Sequence, residues 1–520
     1  MNTVSTALTI ALLFAARAAA TDAESPEYWY RTGRDAVAAA KRLAPIDGRA
    51  KYVILFVGDG MGVSTVTAAR ILEGQRRGQP GEENLLSFEK LPYTALIKTY
   101  NTNQQTSDSA GTMTAMVAGA KTKAGVLGAN QNVVRGDHTT MGGHTLTTIL
   151  ELAERAGLST GVVTTTSVTH ATPAACYAHS PERDWEDDSE LPDTARSAGF
   201  PDIARQLIEF SEGDGLDVVL GGGRQHFLPA ARTDPEYSQK RGRRTDHRDL
   251  TDEWLAKTRA AYVWNLKEFE AVEADRTDHL LGLFEPGHLQ FEADRDADPA
   301  GEPSLAAMTA KAIDLLARNS RGYFLMVEGG RIDHGHHWAN AYRALGDTIE
   351  FARAVDAALA KTDRRDTLIV VTADHSHVFT LGGYATRGNP VLGKVVANDE
   401  RGDPRKSPEA DGLGLPYTSL TYGNGPGYTG ASDDQPEGPK HAHHRGTGYK
   451  GVTAGRPDLS TVNTEDERYL FESAVPLAGE THGGEDVPLY ADGPMAHLFH
   501  GVLEQHVVFH VMAEALGLPR

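Results

Sequence analysis

The sequence predicts an α/β protein built on a central, largely parallel sheet with helices on both faces. Three observations carry that expectation. Continuous apolar runs alternate with helix-like segments, and a strand covered on both faces is apolar along its whole length rather than at every second residue. The chain has 520 residues, of which 40% are hydrophobic and 23% charged, a globular composition with ample material for a large core at roughly 150 residues per domain. Acids and histidines stand immediately behind the apolar runs, where the ligand crevice of an open α/β sheet lies.

The elements follow in chain order. The run Ala7-Leu8-Thr9-Ile10-Ala11-Leu12-Leu13-Phe14-Ala15-Ala16, with Ala18-Ala19-Ala20 behind it, has the length and small-residue exit of a secretory signal peptide, expected over 1–20. Residues 21–520 are expected to form the α/β domain. Tyr30 to Leu43, rich in Ala and Arg, reads as an amphipathic helix and a candidate dimer arm. Predicted strands run from Tyr52 to Val57, Ala95 to Ile97, Gly161 to Val163, Asp217 to Leu220, Tyr323 to Val327 and Thr367 to Val371. From about 382 to 455 Gly, Pro and polar residues take over, predicting an irregular insertion. Its Lys440-His441-Ala442-His443-His444-Arg445 is read as solvated loop. No apolar run reaches the ~18 residues of a membrane span, and Gly517-Leu518-Pro519-Arg520 is no apolar tail, so no membrane anchor is expected.

Charge and cysteine narrow the function. Seventy-one acids against 51 bases leave −20, a field that repels nucleic acids and anionic membranes, so no nucleic-acid partner is expected. The single cysteine, Cys176, excludes an intrachain disulfide and a multi-cysteine zinc site, and reads as a small buried apolar residue. Any metal must sit on His, Asp and Glu.

Those residues cluster. In Val57-Gly58-Asp59-Gly60-Met61-Gly62 the third glycine of a dinucleotide fingerprint would fall at Val63, so that reading fails. Asp59 instead stands at a strand end between glycines, placed to bridge two cations or simply to fix a turn. In Glu328-Gly329-Gly330-Arg331-Ile332-Asp333-His334-Gly335-His336-His337, a helix starting near Asp333 sets 333 and 337 one turn apart, as oxygen and imidazole ligands of one metal. Glu328 would then face a different cation. Asp374-His375-Ser376-His377 offers a second acid and imidazole pair, and His482 in Thr481-His482-Gly483 completes the first. Two zinc sites of three protein ligands each leave open positions for substrate. His377 is then a partner behind a ligand, or a surface or core histidine without a role. Ser109, at a predicted helix start in Thr106-Ser107-Asp108-Ser109-Ala110-Gly111, is either a cap or a hydroxyl activated by a neighbouring zinc; the residues alone favour the cap.

Taken in order, Asp108-Ser109-Ala110-Gly111, His170-Ala171-Thr172-Pro173, Arg183-Asp184-Trp185, Val327 to His337, Thr372 to His377 and Glu480-Thr481-His482 resemble the alkaline phosphatase family, from about Tyr52 to the final helix. The resemblance implies an alkaline phosphatase-like sheet with a crown-like insertion. It implies hydrolysis of small phosphate monoesters, with broad specificity and an alkaline optimum, through a phosphoserine on Ser109. Arg183 would clamp the phosphate, oriented by Asp108. One zinc would sit on Asp333, His337 and His482, and a second on Asp59, Asp374 and His375. Magnesium would sit on Asp59, Thr172 and Glu328, where Thr172 replaces the family's Ser. His170, His334 and His377 would stand behind these ligands; His170 and His334 are similar to animal-type members. A calcium site is implied at Glu236, the Phe284 carbonyl, Glu285 and Glu302. A homodimer, secreted or periplasmic, completes the expectation. The family disulfides of animal-type members are missing. Rivals are a phosphodiesterase, nucleotide pyrophosphatase or phosphomutase on the same core, a sulfatase, and a non-catalytic phosphate- or metal-binding protein. Arg183 favours a monoester over a diester, Ser109 lacks a sulfatase context, and no nucleophile or ligand is missing.

Overall fold

The computed structural model describes residues 25–412, 414–428, 440–441 and 456–519. The leader expected over 1–20, the basic run beyond 441 and the rest of the insertion to 455 lie outside the described residues. The chain divides at Pro45 and Ile46 into two compact units. The first holds the helix Pro26–Ala40, none of whose residues is buried. It begins four residues ahead of the expected start because Ser25 accepts the Tyr28 N–H and Pro26 pre-sets the first turn.

In the second unit ten strands make one sheet: β1 (Tyr52–Gly58), β2 (Tyr93–Lys98), β3 (Ser159–Ser167), β4 (Val218–Gly222), β5 (Ala260–Val263), β6 (His279–Leu283), β7 (Tyr323–Gly329), β8 (Thr367–Ala373), β16 (Val487–Asp492) and β17 (Gly501–Glu504). Between β8 and β16 come seven short strands, β9 (Ser376–His377), β10 (Phe379–Leu381), β11 (Leu420–Gly425), β12 (Lys440–His441), β13 (Tyr469–Leu470), β14 (Ser473–Pro476) and β15 (His482–Gly483). The large sheet runs β17-β2-β16-β8-β1-β7-β3-β4-β6-β5, and every pair is parallel except those of β16 with β2 and β8. All six predicted strands are present. Missing from the sequence reading were β5, β6, β16 and β17; β5 and β17 are the sheet's edges, where a continuous apolar run is not required.

The central strands β4, β7 and β8 are buried at every position and β1 at all but its first, so helices must cover both faces. Helices Leu305–Leu316, Ala341–Lys361 and Val63–Arg76 pack together as one set, and Ser109–Ala118, Ala171–Ala174 and Val507–Leu516 as another. Phe56 of β1 meets Phe351 of the first set edge to face at 5.9 Å. Cys176 is buried and free, as expected.

The register positions the site. Gly58 stands opposite Gly329 and Ala373, so β1, β7 and β8 end level and Asp59 and Asp374 leave the sheet side by side. Over the described residues from 382 to 419 the chain carries isolated bridges rather than strands. That stretch is closed off by the small sheet β10-β11-β14, while β15 pairs antiparallel with β9 and sets His482 opposite His377.

Candidate active site

Asp108, not Ser109, caps the helix Ser109–Ala118, accepting the Gly111 N–H at 3.2 Å. The cap reading for Ser109 is therefore corrected: with that backbone donor already satisfied, its hydroxyl is free to turn inward. Ser109 Oγ lies 3.1 Å from His375 Nε2 and 3.5 Å from Asp59 Oδ1, in a buried position. The second Asp108 oxygen accepts from Gly125 N–H at 2.9 Å and from Arg183 Nη1 at 3.4 Å. Arg183 Nη2 donates to His170 Nε2 at 2.9 Å, so the guanidinium is held from both ends, by Asp108 and by His170.

Three groups of ligand-type atoms converge there. In the first, His377, His337 and His482 bring their Nε2 atoms to 2.8, 3.2 and 3.4 Å from Asp333 Oδ1. The helix carrying Asp333 and His337 runs Arg331–His337, as the one-turn spacing predicts. His337 Nδ1 donates to the Glu480 carbonyl at 2.5 Å and His482 Nδ1 to the Ser107 carbonyl at 2.7 Å. Those bonds fix the tautomers, leaving two bare Nε2 lone pairs 3.2 Å apart, an arrangement that calls for a cation between them. His377 differs. It lies between Glu480 Oε2 at 2.5 Å and Asp333 Oδ1; burial pulls its pKa down, but the two carboxylates outweigh this and push it up to about 10. With each ring nitrogen of His377 facing a carboxylate, it orients Asp333.

The second group is Asp59, Asp333 and His375, with His375 Nε2 at 3.2 Å from Asp59 Oδ1 and 3.3 Å from Asp374 Oδ2. Gly60 makes it possible. Its N–H donates to Asp374 Oδ1 at 3.1 Å, its φ is +71°, and a Cβ there would fall 2.3 Å from His377 Nε2. The third is Asp59, His170 and Glu328. Glu328 Oε2 accepts from Thr164 and Thr166 hydroxyls, while its Oε1, Asp59 Oδ2, Asp374 Oδ2, Thr172 Oγ1 and His170 Nδ1 are buried without a hydrogen bond.

Electrostatics agree with those orphaned atoms. Burial, then Asp374, Asp333 and Glu328, hold the Asp59 carboxyl well above the usual carboxylate range. Burial lifts Asp374 too and pushes Glu328 up to about 7. Burial, Arg183 and His288 pull His170 down to about 3, leaving it neutral. Acids this crowded and dry are suited to divalent cations, and hard oxygen donors with imidazole suit zinc at the mixed sites and magnesium at the oxygen-rich one. The residues present thus fit the three cations the sequence implied.

The acidic group implied for calcium is partly assembled. Glu236 and Glu285 come together, but the third carboxylate is Asp298. Glu302 is not in that group; its Oε1 accepts the Gln290 N–H at 3.0 Å and its Oε2 is buried without a hydrogen bond. Sequence reasoning also gave no role to Glu480, whose carboxylate and carbonyl hold two histidines, or to His288, whose ring lies 4.5 Å from His334 and 5.5 Å from His170. Glu480, two residues before His482, was the detectable signal; His288 had none.

Known proteins resemble this chain along most of its length. The family model described as alkaline phosphatase matches residues 50–518. A tissue-nonspecific alkaline phosphatase isozyme of Gallus gallus is 47% identical over 500 residues, covering 95% of this chain and 89% of that protein. An alkaline phosphatase of Gadus morhua is 45% identical over 497 residues, covering 94% and 97%. Among solved structures, an alkaline phosphatase of Thermus thermophilus superposes with a TM-score of 0.62 at 26% identity, covering 93% of this chain and 94% of that one.

Proposed function

The chain belongs to the alkaline phosphatase family, and we propose that its hydrolysis of phosphate monoesters proceeds through Ser109 inside a cage of three divalent cations. The supporting observation is that ligand-type atoms standing behind β1, β7 and β8, several of them buried without a partner, gather beside one serine hydroxyl that touches Asp59 and His375. Asp333, His337 and His482 would hold one zinc, Asp59, Asp374 and His375 the other, and Asp59, Thr172 and Glu328 a magnesium. Bound there, the cations would lower the pKa of the serine hydroxyl and neutralise the phosphoryl and leaving oxygens.

The chain's own groups do the rest. Arg183 takes two non-bridging oxygens in its fork and Asp108 keeps that fork aimed at Ser109. Ser109 Oγ attacks phosphorus in line, the ester oxygen leaves with a proton as the alcohol, and a phosphoserine remains. Water then attacks from the vacated side, releasing inorganic phosphate and restoring the hydroxyl. Because positioning and charge neutralisation supply phosphoryl-transfer catalysis, little contact with the alcohol is needed and specificity is broad. The bidentate clamp favours monoesters over diesters.

Metal content per chain, measured together with turnover of an aryl phosphate before and after chelation, tests this reading. Activity should vanish with the metal and return with zinc and magnesium; full turnover by demonstrably metal-free enzyme would overturn it. The alkaline optimum, the homodimer, the leader over 1–20 with secreted or periplasmic location, and a calcium ion at Glu236 and Glu285 belong to the same proposal. They rest on the sequence resemblance, with Asp298 now in place of Glu302. Among the described residues no helix is long and apolar enough to cross a membrane.

A further inference from the structure

Arg331 opens the helix that carries Asp333 and His337, yet its guanidinium makes no ion pair among the described residues. Its Nη1 donates to His334 Nδ1 at 2.8 Å, its plane lies 3.8 Å over the Phe291 ring, and its Nε is buried without a partner. Acids surround it at longer range, Asp347, Glu302 and Asp294, and none forms an ion pair with it, although Glu302 Oε2 is itself buried without a hydrogen bond. Asp294 receives two hydrogen bonds from Arg343 at 2.8 and 2.9 Å, Glu302 that of Gln290, and Asp347 the Glu292 N–H at 3.2 Å. A charged group left in this state has lost hydration without gaining a counter-ion.

A cavity of about 220 Å³ opens beside it, lined by three arginines, Arg331, Arg343 and Arg468, by Phe291 and Trp338, and by the carboxylates of Asp294 and Asp298. We propose that this cavity is a second oxyanion site, taking a free inorganic anion of the phosphate and sulfate class, with Arg331 as anchor and Arg468 at the rim. A guanidinium presents a fork that matches such an anion's paired oxygens. The Phe291 and Trp338 rings, 5.1 Å apart, wall the cavity with groups that do not compete for it. The volume holds an oxyanion with several waters, each of about 30 Å³.

The cavity is separate from the phosphate clamp. His334 contacts Arg331 on one side and the His170 ring, 5.7 Å away, on the other; His170 in turn touches Arg183. Two arginines thus face away from a shared pair of histidines.

Crystals of the metal-loaded enzyme soaked in tungstate, and equilibrium dialysis of the same enzyme with inorganic phosphate, test the proposal. Two tungstate positions are expected, one between Ser109 and Arg183 and one on Arg331, with phosphate binding approaching two per chain. Arg331→Gln should weaken only the second site, by about tenfold or more, and Arg468→Gln should weaken it by about threefold. Arg331→Lys, which keeps the charge but not the fork, covers the case in which the Gln variant does not fold, and should weaken the second site while retaining it. Tungstate at Ser109 alone in the wild-type crystal overturns the proposal, as does cavity density unchanged by Arg331→Gln. An empty Ser109 position would instead count against the catalytic reading, so the two failures are distinguishable.

Discussion

The two ends of the central sheet both bury carboxylates, and they do different things with them. At the amino end Glu154, in the last turn of helix Ile149–Arg155, accepts from the Thr160 hydroxyl at 2.5 Å, and Asp217, just before β4, accepts from the Thr160 N–H at 2.7 Å. Burial pushes Glu154 up to about 8 and Asp217 to about 7, with the buried Lys257 ammonium nearby to oppose it. At the carboxyl end burial lifts Asp59, Asp374 and Glu328 too, but imidazoles held by backbone carbonyls join them, several of their oxygens lack a partner, and a serine hydroxyl stands among them. Burial and shifted acidity are common to both ends. Convergence of bare donor atoms on a hydroxyl is what marks a reaction site.

Ser109→Ala should show the largest effect, a fall in phosphate release of about a thousandfold or more, because it removes the nucleophile and leaves the clamp and the cage. Acid quenching during turnover should trap phosphoserine in the wild type and none in the variant; a trapped phosphoenzyme in Ser109→Ala would break the contrast between the two ends.

Glu480→Gln ranks next. One side chain holds His377 at 2.5 Å and the Val378 N–H at 2.8 Å, while the same residue's carbonyl fixes His337. The amide weakens the first contact, so zinc affinity measured against a chromophoric chelator should drop about 10- to 100-fold. Glu154→Gln is the matched control, equally buried but at the other end, and should leave zinc affinity unchanged. Equal losses in both would mean that buried charge in general, rather than this geometry, sets metal binding.

Arg183→Lys comes third. Lysine keeps the charge but offers a point donor in place of the fork and cannot span both His170 and the phosphate. An increase in KM of about tenfold for an aryl phosphate, with the phosphoserine still trapped, is the expected result; an unchanged KM would remove Arg183 from the clamp.

What could be read from the sequence follows the same division. Asp59, Glu328, Asp374 and His375 were legible because each abuts an apolar run, and a parallel sheet gathers such ends whatever the intervening loops do. Asp333 and His337 were legible from helical spacing. Strand β16 was not: Pro488 and Asp492 interrupt its pattern, and nothing in the chain announces that it inserts antiparallel between β2 and β8. Glu480 acquires its role only through the β15–β9 pairing, and the grouping of Asp298 with Glu236 and Glu285 depends on loop geometry that no periodicity describes. His288 reaches His334 from a loop that no periodicity describes.

The smallest expected effect belongs to the amino end and concerns stability alone. Glu154 carries a folded-state pKa of about 8 against an ordinary 4.5. Below the ordinary value both states are protonated. Between it and the folded value the unfolded chain is ionised while the folded one keeps its proton, so the wild-type fold loses stability as pH rises and the loss is complete above the folded pKa. Glu154→Gln cannot ionise and should escape that loss, apart from a constant offset for the altered contact with Thr160. Thermal unfolding of metal-loaded samples at about pH 5 and about pH 9 should therefore show the variant gaining a few degrees on the wild type between the two. A difference that stays flat across that range would mean Glu154 is already ionised in the fold, with Lys257 as its counter-charge.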